Sequence, residues 1–121
     1  MKYHNKRISL GGHNFASKAE AARWIYLSAL ERDGGITHLR LQSRYELYAG
    51  IFYVADFEYF RESGISVVED VKGLKTDVFK LKAKMFQAKY GKQIREIQIG
   101  SHAADCLIKA YLGQERREKK A

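Results

Sequence analysis

The chain begins with two short extended segments on either side of a pair of glycines. Arg7–Leu10 and His13–Ala16 flank the Gly-Gly dipeptide, and a two-residue glycine turn between such segments predicts a β-hairpin. Ser17 then opens a stretch in which apolar residues recur every three or four positions, the spacing of an amphipathic helix. This helix is predicted to end at the two glycines after Asp33, because glycine readily adopts the left-handed conformation that terminates helices.

The middle of the chain changes to strand patterns. Ile36–Leu47 is mixed but extended in character, and Ile51–Phe60 is dense in aromatic and β-branched residues, which are enriched in strands. A turn at Glu62–Gly64 leads into Ile65–Lys72, which is apolar enough to return as the antiparallel partner. Three consecutive strands are therefore predicted, and Gly73 is expected to end the third.

The last third of the chain returns to helical spacing. Thr76 is predicted to cap a second helix that ends near Tyr90, Gln93–Ile99 a further strand, and Ser101 a last helix. The charged tail Gln114–Ala121 is expected to fray. Five apolar residues of the second helix are expected to face inward: Val78, Phe79, Leu81, Met85 and Phe86.

The order of these elements predicts the fold class. Past the hairpin the order is α-β-β-β-α-β-α, and a strand hairpin followed by a βαβ crossover implies a sheet with both antiparallel and parallel pairs. The prediction is an α/β fold with a mixed central sheet flanked by helices, an N-terminal hairpin and an extra C-terminal helix. With 121 residues, 45% of them hydrophobic, the chain can bury one core, so residues 1–121 are expected to form a single domain.

Composition excludes several classes of protein. No apolar run approaches the roughly 20 residues of a membrane span, and the polar first residues do not resemble a signal peptide. The single cysteine, Cys106, excludes an internal disulfide framework and suits a reducing cytosol. The four histidines lack the spacing of zinc ligands.

Charge divides the chain into two halves. The net charge is +8, yet residues 1–70 contain nine basic and nine acidic side chains, so residues 71–121, with thirteen and five, supply all of it. A basic half of this kind suggests an anionic partner, most often nucleic acid. The alternative is a solvated lysine-rich surface that maintains solubility.

The predicted strand hairpin brings two acidic residues together. If its turn is centred near residue 63, residues whose numbers sum to 126 lie opposite each other, so Asp56 faces Asp70 with their Cβ atoms about 4.5–5.5 Å apart. Lys72 shares that face, being two residues from Asp70. Two negative charges at this distance repel each other unless a cation neutralises them, and carboxylate oxygens are suitable ligands for Mg²⁺. The alternatives are solvated acids, or a register one residue different that separates them.

These residues carry a resemblance to a known family. Asp56 followed by Asp70-Val71-Lys72 resembles the signature of the restriction-endonuclease-like, PD-(D/E)xK nuclease superfamily, whose core order αβββαβ matches residues 17–99. Ser17-Lys-Ala-Glu20 resembles the family's first helix, which often contains a catalytic glutamate, although Glu20 also fits the last position of a capping box. Ala55 stands where the family signature has proline. Small phage-encoded nucleases of the Holliday-junction-resolvase type and transposon-end nucleases are the members it resembles best.

The resemblance implies a metal-dependent DNA endonuclease with Glu20, Asp56, Asp70 and Lys72 as its catalytic residues. Asp56, Asp70, the Val71 carbonyl and Glu20 are expected to hold Mg²⁺ or Mn²⁺, with no small-molecule cofactor. The basic C-terminal part, including the last helix and tail at 101–121, would hold the phosphate backbone. The lysines expected to contact DNA are Lys75, Lys80, Lys82, Lys84 and Lys89. Lys82, within the apolar arc of its helix, has the alternative of extending its ammonium into water.

The resemblance also sets expectations about substrate and setting. A chain of this length has little surface for reading a long base sequence, so structure-selective cutting of branched DNA, such as a Holliday junction in phage-type recombination, is expected. Symmetric cutting of a junction requires two active sites, hence a homodimer. The expected setting is the cytoplasm of a bacterial or phage-infected cell, with no membrane partner. The alternative is a non-catalytic DNA- or RNA-binding module that retains the fold.

Overall fold

The computed structural model of the protein describes residues 7–72 and 75–120, so Gly73, predicted to end the third strand, lies outside the described residues. The described chain forms two compact units. One contains residues 7–29 and 99–120, and the other contains residues 30–72 and 75–98.

The first unit begins with the predicted hairpin. Strands β1 (Ile8–Leu10) and β2 (His13–Phe15) pair antiparallel across Gly11 and Gly12, whose φ angles are +60° and +81°. A Cβ atom at Gly11 would lie 2.1 Å from the ring of Trp24. Glycine is therefore needed at Gly11 both for the backbone conformation and for the close approach of the indole.

Two helices complete this unit. Helix α1 (Lys18–Arg32) begins after Ser17, whose Oγ accepts a hydrogen bond from the amide of Glu20 at 3.2 Å, as expected of an N-cap. Helix α3 (Ser101–Lys120) contributes Tyr111, whose ring meets that of Trp24 edge-on with their centroids 5.6 Å apart. The last residues of α1, from Leu30 onward, belong to the second unit.

The prediction that the charged tail frays is wrong, because α3 continues to Lys120. The tail extends an existing helix instead of starting one, and side chains four residues apart bond along its surface, as Tyr111 does with Glu115 at 3.0 Å. Among residues 7–72 and 75–120, no helix has the length and apolar character needed to cross a membrane.

The second unit is built on a four-stranded sheet. Its spatial order is β3 (Ile36–Glu46), β4 (Phe52–Arg61), β5 (Ser66–Val71) and β6 (Arg95–Ile97). The first three strands are antiparallel neighbours, whereas β6 runs parallel to β5 after α2 (Asp77–Tyr90). The predicted mixed α/β fold is therefore confirmed, with three helices in the part of the chain that the structure describes.

Local signals set both ends of α2. Thr76 caps it by accepting a hydrogen bond from the amide of Phe79 at 3.1 Å, and Gly91 ends it in the left-handed conformation with φ +69°. The helix packs on a core whose buried members come from β4, β5, α2 and the end of β3. They are Leu47, Tyr53, Ala55, Val68, Phe79 and Phe86.

The inward face of α2 differs from the predicted one. Phe79 and Phe86 are buried as expected, but Val78 and Leu81 are 63% and 59% exposed, so the prediction that they face inward is wrong. Ring contacts set the rotation of the helix, since Phe86 packs edge-on against Tyr45 with their centroids 5.0 Å apart. The apolar stripe shows which residues of α2 are able to pack in a core. The aromatic rings of the sheet determine which of them are buried.

An irregularity interrupts the alternation of β3 and β4. Between the pairs Leu41–Phe57 and Ser43–Ala55, Gln42 has a positive φ of 55°. Ala55 packs in the core beneath α2, and three residues later Glu58 accepts a hydrogen bond from Tyr45, whose ring also contacts α2. Residues three apart therefore face the same side, so the parity of β4 changes at Asp56.

Candidate functional site

The observed hairpin has the predicted register. Phe57 pairs with Glu69 and Tyr59 with Val67, and each pair of residue numbers sums to 126. Continuing this register by one residue places Asp56 opposite Asp70, at the end of the paired region. The two aspartates therefore lie on the two central strands of the sheet, close to where β5 ends.

Asp56 is fixed to the neighbouring strand by its side chain. Its Oδ2 accepts a hydrogen bond from the backbone amide of Val71 at 2.8 Å. A carboxylate that accepts from a backbone amide gains both orientation and charge stabilisation. The bond holds Asp56 beside the residue that separates Asp70 from Lys72.

Asp70 is buried, with only 3% of its surface exposed, and each of its oxygens has a partner. The hydroxyl of Tyr53 donates to Oδ2 at 2.7 Å, and the ammonium of Lys72 lies 3.2 Å from Oδ1. A buried carboxylate needs such partners, because an unpaired buried charge costs several kcal/mol. Asp70 is therefore held in one orientation from two sides.

Tyr53 connects the two aspartates electrostatically. Burial raises the pKa of its phenol well above the usual value, and the negative charges of Asp70 and then Asp56 raise it further. The hydroxyl therefore keeps its proton and acts as a hydrogen-bond donor to Asp70.

Lys72 is positioned by an aromatic ring as well as by Asp70. Its Nζ lies 4.2 Å from the ring centroid of Phe79, in the first turn of α2. The side chain is one-quarter exposed, so part of it is accessible from solvent. The structure thus brings Asp56, Asp70 and Lys72 together, as predicted.

Glu20 and Val71, the other predicted metal ligands, are defined only in part. Glu20 lies in the first turn of α1, in the first unit, and its amide donates to Ser17. For Val71 the structure defines the amide, which bonds Asp56. The roles of the Glu20 carboxylate and of the Val71 carbonyl stay predictions.

The lysines predicted to contact DNA have different environments. Lys80 and Lys84 are exposed on α2, and Lys82 is partly buried on the same helix. Lys75 forms a half-exposed ion pair with Glu96 at 3.2 Å, and the ammonium of Lys89 donates to the carbonyl of Glu46 at 3.0 Å. A surface contact of this kind contributes about 1 kcal/mol or less, so an incoming phosphate can compete for either lysine.

Sequence reasoning missed Glu69. It is fully buried and accepts a hydrogen bond from the hydroxyl of Tyr59. Adjacent residues of a strand point to opposite faces, so Glu69 and Asp70 are directed to opposite sides of the sheet. Two acidic residues in succession within an apolar strand are the signal that points to two separate buried carboxylates.

The described residues contain no group of three or more histidine, cysteine, aspartate or glutamate side chains that could hold a metal ion. The cluster therefore presents two carboxylates, with a lysine beside them. Carboxylate oxygens are the ligands that Mg²⁺ and Mn²⁺ prefer, so the chemistry of this donor pair fits such an ion.

A family model matches residues 1–103 of the chain, and its description is a protein of unknown function, DUF1064. The chain belongs to the DUF1064 family. The match covers α1, the four-stranded sheet and the start of α3 of this DUF1064 protein, so both aspartates and Lys72 lie within it. No curated protein and no solved structure matches the chain.

Proposed function

We propose that this protein is a metal-dependent DNA endonuclease with a restriction-endonuclease-like core. The arrangement of Asp56, Asp70 and Lys72 carries the proposal, because two carboxylates and a lysine converge at the end of a central strand hairpin. The element order α1, β3, β4, β5, α2, β6 supports it, since the αβββαβ core of that superfamily has the same order.

The two carboxylates would hold Mg²⁺ or Mn²⁺, with the Val71 carbonyl as a further ligand. Such an ion lowers the pKa of a bound water and stabilises charge on the scissile phosphate. The bond from the Val71 amide keeps Asp56 in place, and the bond from Tyr53 does the same for Asp70. Both carboxylates are thus oriented before any ligand arrives, which lowers the cost of binding.

Lys72 would act on the phosphodiester itself. Its ammonium forms an ion pair with Asp70 in this structure, and when the carboxylate charge is neutralised it is able to donate a hydrogen bond to the attacking water or to a phosphate oxygen. Attack by water forms one P–O bond as the bond to the leaving oxygen breaks. A fixed cation stabilises the negative charge that develops on the phosphate oxygens in this transition state. The ring of Phe79 keeps the lysine side chain within reach.

The finer parts of the proposal follow the resemblance. Branched DNA such as a Holliday junction is the proposed substrate, and a homodimer would supply the two active sites that symmetric cutting requires. The lysines of α2 and the basic residues of α3 would hold the backbone.

A second candidate is a DNA- or RNA-binding module without activity. The observation in its favour is that each carboxylate already has partners, since Asp56 accepts from the amide of Val71 and Asp70 is bound by Tyr53 and Lys72. Such a network can serve only to stabilise the sheet.

The deciding experiment uses labelled duplex, flap and four-way junction DNA with Mg²⁺ or Mn²⁺. Asp70→Asn and Lys72→Ala are expected to cut at least about 100-fold more slowly than the wild type, because loss of one group that stabilises the transition state typically costs this much. Asp77→Asn is the matched control, since it removes an exposed carboxylate from the first turn of α2. Undiminished cutting by Asp70→Asn would show that the proposed site is wrong. Binding of the junction without cutting by any variant would favour the second candidate.

A further inference from the structure

A cleft of about 300 Å³ lies in the second unit, away from the aspartate cluster. It is lined by the end of β4, the start of β5 and the segment that leads into β6. Its polar lining includes Arg61, Lys92 and Arg95, together with Ser66. None of the described residues that line it is acidic.

The three cations of this cleft lack acidic partners. In residues 7–72 and 75–120, no carboxylate forms an ion pair with Arg61, Lys92 or Arg95, and the ammonium of Lys92 donates to the hydroxyl of Ser66. By contrast Lys72 and Lys75, which follow β5 in the chain, each form an ion pair with a carboxylate. Like charges around one cleft repel one another, and a cleft lined by one sign of charge concentrates ions of the opposite sign.

We propose that this cleft binds a backbone phosphate of a nucleic acid. Arginine presents a planar fork of donors that matches phosphate oxygens, and the exposed Arg61 and Arg95 can supply two such forks. Lys92, partly buried and held by Ser66, supplies a third positive charge. The cleft is at the small end of ligand pockets, and it suits a phosphate with its sugar more than a large cofactor.

The position of the cleft relates it to the proposed active site. Ser66 and Asp70 lie four residues apart on β5, which corresponds to about 13 Å at a rise of about 3.3 Å per residue. A strand of duplex DNA advances about 3.4 Å per nucleotide. Arg95 on β6 pairs with Glu69, the neighbour of Asp70, so the cleft lining extends from there to Ser66. The phosphate would therefore lie within about four nucleotides of the scissile one, and this spacing rests on the proposed function, whereas the binding itself does not.

Binding of labelled duplex and junction DNA in EDTA tests the cleft without cleavage. The double variant Arg61→Gln/Arg95→Gln is compared with Arg40→Gln/Arg44→Gln, which removes the same charge from exposed positions on β3. The slope of log affinity against log salt is expected to fall by about 0.9 in the cleft variant, because the one phosphate contact that the cleft supplies is lost and each such contact contributes about 0.9. The β3 variant is expected to keep the wild-type slope.

Equal slopes for the two double variants would overturn the proposal. Arg61→Lys/Arg95→Lys retains the charge and is expected to keep most of the slope, so a large loss here would also count against it. Thermal melting with tripolyphosphate distinguishes a site for nucleic-acid phosphate from a site for a small phosphorylated compound. Stabilisation of the wild type alone, with DNA binding unchanged in the cleft variant, would assign the cleft to a small phosphorylated compound and contradict the nucleic-acid assignment.

The outcomes also separate this proposal from the proposed function. If the wild type cuts DNA and the two double variants bind alike, the cleft proposal fails and the endonuclease stands. If no DNA is cut but the cleft variant alone loses salt dependence, the cleft is a phosphate site on a binding module.

Discussion

Replacing Tyr53 by phenylalanine tests whether the aspartate cluster is held as the structure indicates. Tyr53 is 3% exposed, and its only polar atom in the side chain donates to Asp70 Oδ2 at 2.7 Å. Tyr53→Phe keeps the ring and its packing against Phe86, with centroids 5.6 Å apart, and removes only that donor. Asp70, itself 3% exposed, would then retain Lys72 on its other oxygen.

The expected loss of stability follows from this burial. A hydrogen bond to a charged group contributes about 1.5–3 kcal/mol when its removal leaves the charged partner buried. The free energy of unfolding of Tyr53→Phe is therefore expected to fall by about 1.5–3 kcal/mol, which corresponds to roughly 5–15 °C in Tm for a chain of this size. Urea unfolding followed by circular dichroism measures it, and the denaturant dependence of the unfolding free energy should stay unchanged.

Tyr45→Phe is the matched control. Tyr45 lies in the same ring stack, 6.4 Å from Tyr53 between centroids, but its hydroxyl donates to Glu58. The side chain of Glu58 is one-quarter exposed and keeps a second donor, Ser43, at 2.7 Å, so water can replace the lost phenol. A cost of about 1 kcal/mol or less is expected for this control. If Tyr53→Phe costs no more than Tyr45→Phe, the buried bond to Asp70 does not hold the cluster.

Two further predictions concern the turn after β3 and the response to alkali. Ala49 has φ +49° and precedes Gly50 at +79° in a turn closed by a 2.8 Å bond from the Ile51 amide to the Tyr48 carbonyl. Ala49→Asn is expected to stabilise the protein by about 0.5–1 kcal/mol, because asparagine tolerates this backbone conformation. A Tm at or below that of the wild type would contradict this prediction. The raised pKa of Tyr53 means that the unfolded chain loses the phenol proton before the folded chain does as pH rises above 10. Its contribution to stability is therefore complete below that pH and declines above it by about 1.4 kcal/mol per pH unit. Urea unfolding between about pH 10 and 12 should show that the unfolding free energy of Tyr53→Phe declines less steeply with pH than that of the wild type, and equal slopes would refute the prediction.

Local patterns were sufficient to predict most of the elements. Ser17 and Thr76 begin helices with the capping bonds expected of them, and Gly91 ends α2. These signals operate within a few residues of chain, where hydrogen-bonding needs and allowed dihedral angles dominate. The register that places Asp56 opposite Asp70 was predictable for the same reason, because the turn at Glu62–Gly64 aligns the two strands that it joins.

The rotation of α2 could not be predicted from its own residues. Val78 and Leu81 are as apolar as the residues that pack, yet they are exposed. Which side of a helix is buried depends on where the neighbouring rings lie, and here these are Tyr45 and Tyr53 of the sheet. That information is distributed over residues more than twenty positions before the helix.

The sequence by itself determined the strands, their register and the acidic residues that they contain, because these follow from alternation and turn chemistry. Only the tertiary structure decided how the cluster is held. Regular alternation in the predicted register would place Tyr53 on the face of Glu69, away from Asp70. The change of parity at Asp56, opposite the positive φ of Gln42, brings the tyrosine to the Asp70 side. The alternation of polar and apolar residues in β4 does not reveal this irregularity. It arises because β4 must pair with its neighbouring strands and pack against a helix at the same time.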